Sequence, residues 1–157
     1  MNFFRPVDER FPVAHEFAEW GLRYQWLVDK QTGMWIPKGS DPLLKGQHRG
    51  VDFDCPIGCV VSAMADGIIV QARNENAINH KMGAGLFIIQ IVTMEGHEAW
   101  WLKYSHLKRA MVDLGQEIKA GQPIGITGES GDIDRPLLHV DLASPRVPHQ
   151  YHPIPWA

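Results

Sequence analysis

Only two cysteines occur in the 157 residues, and both lie in one five-residue turn, Cys55-Pro-Ile-Gly-Cys59. The second Cys pair that would complete a zinc knuckle is missing. Free cysteine behaves as a small apolar residue, so Cys55 and Cys59 are expected in the core. Long apolar runs are also absent: none approaches the eighteen or so residues of a membrane span. Blocks of like charge are missing, and the formal net charge is −3. A concentrated basic patch is the usual footprint of a nucleic-acid binder, so no such partner is expected. There is no low-complexity tract and no internal repeat. The opening residues, MNFFRPVDERFPVAHEF, lack the basic start and unbroken apolar stretch of a secretory leader.

Apolar residues make up 45% of the chain, enough for one domain with a real core and hardly for two. Fifteen Gly and eleven Pro are scattered through it, which favours many short strands over long helices. Residues 1–45 are the least legible and are expected to be an N-terminal extension packed on the domain formed by 46–157. Within that extension, FPVAHEFAEWGLRYQWLV suits either a short helix or a strand and turn.

From Arg49 onward the pattern turns β-like. Two apolar runs flank Asp66-Gly67, a dipeptide that favours hairpin turns, and Glu95-Gly96 is a second turn signal. GLFIIQIV suits a central strand. In EAWWLKYSHL, two-residue alternation places Trp100, Leu102, Tyr104 and His106 on one face and Trp101 on the other, toward the core. LLHVDL is the last clear strand. The fold class is therefore mainly β, a compact antiparallel sheet of the barrel or sandwich kind.

Two motifs carry candidate metal chemistry. His48 and Asp52 are four apart, but Gly50, Val51, Phe53 and Pro56 argue against a helix that would align them. On a straight strand that spacing spans about 13 Å, too far for two ligands of one ion. The chain must bend between them, and Gly50 is the residue able to allow it. In the later strand, Leu138, Val140 and Leu142 share the core face. Leu137, His139 and Asp141 share the other, where Asp141 is placed to support His139. Two histidines and a carboxylate suit Zn2+ with a fourth corner left open.

The run HRGVDFDCPIGCVVSAMADGIIVQA, then YSHL, then GQEIKAGQPIGITGESG, then PLLHVDL resembles the lysostaphin-type zinc endopeptidases. The likeness covers about residues 46–142. It implies an open groove in a compact antiparallel β fold. It also implies hydrolysis of peptide bonds in bacterial peptidoglycan, with zinc held by His48, Asp52 and His139. His106 matches the His of the family's Tyr-x-His motif and is the expected catalytic imidazole. Leu137 stands where the family carries the first His of His-x-His. His80, His97, His149, His152 or Arg135 are the groups available to substitute for it. Tyr104, Trp100 and Arg135 are the expected substrate-binding residues. The expected place of action is the cell wall or periplasm, which a phage lysin or virion component would reach.

A second reading is a weakened or inactive relative that serves as a peptidoglycan-binding or regulatory module. A third takes the Gly-punctuated segment around Lys119 as a biotinyl or lipoyl carrier hairpin, which leaves His48, Asp52 and His139 unexplained.

Overall fold

Gly and Pro punctuate most of the chain into short apolar runs, and these fold as strands. The computed structural model describes residues 3–74, 82–94 and 98–156. Among them the elements are all strands: β1 (Val13–His15), β2 (Trp20–Gly21), β3 (Trp26–Val28), β4 (Trp35–Pro37), β5 (Gly46–Gln47), β6 (Val51–Phe53) and β7 (Val60–Ser62), then β8 (Gly67–Asn74), β9 (Leu86–Thr93), β10 (Ala99–Ala110), β11 (Glu117–Ile118), β12 (Pro123–Thr127), β13 (Leu138–Ala143) and β14 (Tyr151–His152). The main sheet is antiparallel and runs β1-β6-β13-β10-β9-β8-β11. β12 pairs with both β10 and β7, and β14 pairs with β13. Two small ribbons, β2–β5 and β3–β4, stand apart from it.

The first 45 residues do more than pack on this sheet. β1 forms its edge against β6, and Phe3 is fully buried in the core. The stretch that suited either a helix or a strand resolves into β1, β2 and β3, each too short to carry a helical period.

The core joins Phe53, Met64, Ile69, Ile88, Leu102 and Leu107 with the inner face of β13. Leu138, Val140 and Leu142 are fully buried there, as alternation along LLHVDL requires. Cys55 is buried and free, and burial pushes its thiol up to about 12; Cys59 is half-buried and free.

Two expectations and one disfavoured alternative need correction. Asp66-Gly67 does not close a hairpin: β7 turns to β12, whereas β8 pairs with β9 and β11. Lys119 is exposed and pairs with Asp66 at 3.7 Å. β11 and β12, which flank it, pair with β8 and with β10 and β7 rather than with each other, so no carrier hairpin forms. Glu95-Gly96 lies outside the described residues.

The third correction concerns β10. Strict alternation put Trp100, Tyr104 and His106 together on a groove, but the register of β10 on β9 shifts between Tyr104 and Leu107. His106 adopts φ +66°, an uncommon conformation for any residue with a Cβ. This bulge turns His106 to the opposite face from Tyr104. Trp100 and Tyr104 are core residues, and Trp101 is the half-buried one.

Tyr104 is fully buried. Its hydroxyl donates to Gln90 Oε1 at 2.5 Å and accepts from the Met64 amide at 2.8 Å. Tyr104→Phe would leave both partners buried and unsatisfied. We expect it to lower unfolding free energy by about 1–3 kcal/mol in denaturant titration, with substrate KM unmoved. A raised KM at unchanged stability would restore Tyr104 to the groove.

Candidate metal centre and active-site cleft

The sheet register sets the site. Asp52 on β6 lies opposite His139 on β13, which lies opposite Ser105 on β10. Cross-strand neighbours on one face are close enough for their side chains to meet, so three strands deliver a row of polar groups to one place. His48 joins that row because the chain bends at Arg49-Gly50. A Cβ at Gly50 would fall 2.2 Å from the Val140 carbonyl oxygen and 2.8 Å from His139 Cε1. Glycine is therefore required for the two strands to approach, beyond any freedom it lends the bend.

His139 Nδ1 lies 2.7 Å from Asp52 Oδ1 and 3.2 Å from His48 Nε2, and His48 Nε2 lies 3.3 Å from Asp52 Oδ2. A tetrahedral ion with ligands at about 2.0–2.1 Å sets them about 3.3 Å apart. These three residues could hold a metal ion, and their spacing fits one. The far nitrogens are already engaged. His48 Nδ1 donates to the Glu16 carbonyl at 3.0 Å, and His139 Nε2 donates to Asp141 Oδ2 at 3.0 Å. With each outer N–H bonded to an oxygen, the inner nitrogen is the one that offers a lone pair to an ion once it gives up its proton. Tyr24 stacks on His48 at 4.6 Å and 20°, and its hydroxyl donates to Glu19 Oε2 at 2.8 Å.

Electrostatics follow from this geometry. Burial alone would raise the Asp52 carboxyl, but hydrogen bonds from His139 and His48 outweigh it and hold the group well below the usual carboxylate range. Burial alone would lower His139, but Asp141 and Asp52 flank the ring and push it up to about 9. A divalent cation competing for Nδ1 therefore displaces a proton. Burial and the charge on His139 together lower His106 to about 4, so its imidazole is neutral at pH 7.

His106 is aimed by the bulge. Its amide donates to the Ala84 carbonyl at 2.8 Å and its Nδ1 donates to the Ser130 carbonyl at 2.7 Å, which leaves Nε2 with a free lone pair. Ser130 is itself pinned: its hydroxyl donates to the Leu107 carbonyl at 2.6 Å and accepts from the Leu86 amide at 3.1 Å. A Cβ at Gly131 would stand 2.7 Å from His106 Nδ1, so a glycine there lets the loop close on the ring. The rings of His106 and His139 are 6.2 Å apart.

These groups open onto a cavity of about 410 Å³ whose other walls include Trp26, Arg49, Lys103, Asp132 and Asp134. Leu137 lines it too, with 1% of its surface exposed. Among the described residues, the imidazoles lining this cavity are those of His48, His106 and His139. The groups considered as substitutes at Leu137 lie elsewhere or outside the description. His149 packs on Trp26 at 4.5 Å and His152 on Trp100 at 5.6 Å, and neither lines the cavity. His80 and His97 lie outside the described residues. Arg135 is exposed on the loop before β13 and does not line the cavity, whereas its neighbour Asp134 does.

The sequence model of peptidase family M23 matches residues 46–150. The chain belongs to that family. The chain is 33% identical over 132 residues to the peptidoglycan DD-endopeptidase ShyA of Vibrio cholerae, covering 83% of this chain and 28% of that protein. Lysostaphin of Staphylococcus simulans is 36% identical over 115 residues, covering 73% and 22%. The chain thus spans about a quarter of the length of these relatives. The catalytic domain of lysostaphin superposes on this chain with a TM-score of 0.59 at 28% identity, covering 87% of this chain and 88% of that one.

Sequence reasoning missed Tyr24, Ser130 and Lys103. Tyr24 reaches His48 from a segment with no legible period, and nothing in the sequence signals the contact. Ser130 sat in a Gly-punctuated run and acts through its backbone carbonyl, which side-chain chemistry cannot reveal. Lys103 was visible only once the β10–β13 register placed it and Ser105 on the site face.

Asp141 has a separable role. Asp141→Asn keeps the shape but removes the charge that fixes the His139 tautomer. We expect metal affinity to fall about 10- to 100-fold in a zinc-competition titration with a chromophoric chelator. An unchanged affinity would mean that backbone packing alone orients the His139 ring.

Proposed function

We propose that this chain acts as a zinc-dependent endopeptidase on peptide bonds of bacterial peptidoglycan, with His48, Asp52 and His139 as the metal ligands and His106 as the catalytic imidazole. The observation that carries this is the donor triangle: three inward atoms at ion-coordinating separation, with the outer nitrogen of each imidazole already committed. Zinc bound there supplies Lewis acidity, lowering the pKa of a water and polarising a peptide carbonyl. The chain's own residues do the rest. His106 Nε2, neutral at pH 7 and unprotonated because Nδ1 is bonded to Ser130, accepts a proton. Lys103, Arg49 and Trp26 line the cavity along which a peptide would lie. The similar proteins ShyA, a peptidoglycan DD-endopeptidase, and lysostaphin, an antimicrobial peptidase, support the substrate class. The place of action that follows is the cell wall or periplasm.

The experiment is zinc analysis paired with digestion of purified sacculi. We expect one zinc per chain, release of soluble peptides, loss of that activity on chelation, and its return with zinc but not magnesium. Full activity after complete chelation would sink the reading. A second reading, a peptidoglycan-binding module without turnover, draws on one observation: Leu137 gives the wall an apolar surface where the resemblance expects a second imidazole. Zinc-loaded protein that binds sacculi and releases nothing would establish it.

A further inference from the structure

Among the described residues, Arg23, Arg49 and Lys103 line the cavity without an ion pair, and Arg49 and Lys103 are the half-buried two. Arg49, next to His48, holds its guanidinium carbon 5.3 Å from the ring centroid of Trp26 and 5.3 Å from that of Tyr151. Its Nη1 donates to the Tyr151 hydroxyl at 3.1 Å, and His149 packs against Trp26 from beyond. A guanidinium carries five N–H donors, and this is the one contact they make among the described residues. Lys103 lies opposite Asp141 in the β10–β13 register, with Nζ 4.4 Å from the Phe87 ring centroid. Neither cation has a carboxylate within ion-pair distance among the described residues. Asp141, the nearest acid in the register, is committed to His139.

Two aromatic rings beside a half-buried guanidinium and a bond to the Tyr151 hydroxyl restrain its fork in advance, and that fork matches a carboxylate edge-on. The cavity is also polarised. Asp132 and Asp134 line it from the loop before β13, whereas Arg49 and Lys103 line it from the sheet side beside Asp52 and Asp141, whose carboxylates are paired with His139. An anionic group is repelled from the first and drawn to the second.

We propose that Arg49 and Lys103 form an anion subsite beside the reactive centre that reads a free carboxylate on the substrate peptide. Resting on the peptidase reading, the inference narrows its substrate class: peptides carrying an ionised carboxyl near the scissile bond are preferred over those in which it is amidated. Arg49 is the specificity residue, and Lys103 adds charge without fork geometry.

The test uses zinc-loaded protein and one cross-linked peptide purified from bacterial peptidoglycan, native and after carbodiimide amidation of its carboxyls. Dissociation constants come from NMR titration, and each sample is then assayed for cleavage. Wild-type protein is expected to bind the native peptide on the order of tenfold more tightly, as a charge-assisted pair implies. Arg49→Gln brings that ratio near one. Lys103→Gln leaves the Arg49 contacts with Trp26 and Tyr151 intact and lowers the ratio severalfold. Comparing two peptides on one protein cancels any change in metal loading. A ratio near one in wild-type protein overturns the subsite, as does a ratio that neither substitution changes. Cleavage with a ratio near one overturns the subsite alone and leaves the peptidase reading standing. A tenfold ratio without cleavage supports the subsite and overturns the peptidase reading.

Discussion

His106→Ala is expected to cut peptidoglycan hydrolysis by about 10²- to 10⁴-fold, the usual worth of a positioned acid–base group, while zinc content stays at one per chain. The two halves of that outcome follow from separate features. His106 is not one of the three donors that could hold an ion, so its loss leaves the metal cradle whole. Its ring is nevertheless held more firmly than chance burial requires. The bulge that gives it φ +66° carries strain of order 1–3 kcal/mol for a non-glycine residue. The amide bond to Ala84 and the Nδ1 bond to Ser130 maintain that conformation. The reward is an Nε2 lone pair facing the cavity, on a ring whose pKa, lowered to about 4, keeps it a neutral acceptor at pH 7. As pH falls toward that value the acceptor is lost, and with it the activity. Sacculus digestion and zinc analysis on one preparation decide the matter. Activity within tenfold of wild type would remove His106 from the chemistry, and loss of zinc would recast it as a support of the metal site.

How much of this was legible in the sequence depended on whether a local pattern continued unbroken. β13 kept strict alternation through six residues, so the separation of Leu138, Val140 and Leu142 from His139 and Asp141 could be read directly. The need for a bend between His48 and Asp52 was also readable, because a straight strand cannot bring them together. The reason for Gly50 was not: the clash it avoids is with Val140, ninety residues away. Alternation failed on β10 because a bulge of one residue exchanges faces for everything beyond it. Trp100 and Tyr104 were therefore assigned to the groove, and Lys103 and Ser105, the residues on the site face, went unnoticed. The N-terminal 45 residues were opaque for a different reason. Their strands are two or three residues long, shorter than any periodic signal, and they gain order by pairing with β6, with β5 and with each other.

Leu137→His carries the second large effect, an expected rise in hydrolysis on the order of a hundredfold. Leu137 lies two residues before His139 on the same side of the chain and lines the same cavity as His106. An imidazole there would stand across from His106 and supply a donor to the developing oxyanion, a group worth about 10²–10³ in rate. The same change has a structural cost. Leu137 is 1% exposed, and exchanging a buried apolar side chain for a polar one that must find a partner costs about 1–3 kcal/mol. Faster turnover should therefore accompany a lower Tm, a combination that general stabilisation of the fold cannot produce. Parallel measurement of kcat, zinc content and thermal unfolding separates the cases. A rate that rises from a measurable wild-type value marks a peptidase running on one imidazole. A rate that appears only in the variant marks a binding module whose metal cradle outlived its chemistry. A stable, zinc-loaded variant with an unchanged rate would show that oxyanion stabilisation in this cavity does not depend on position 137.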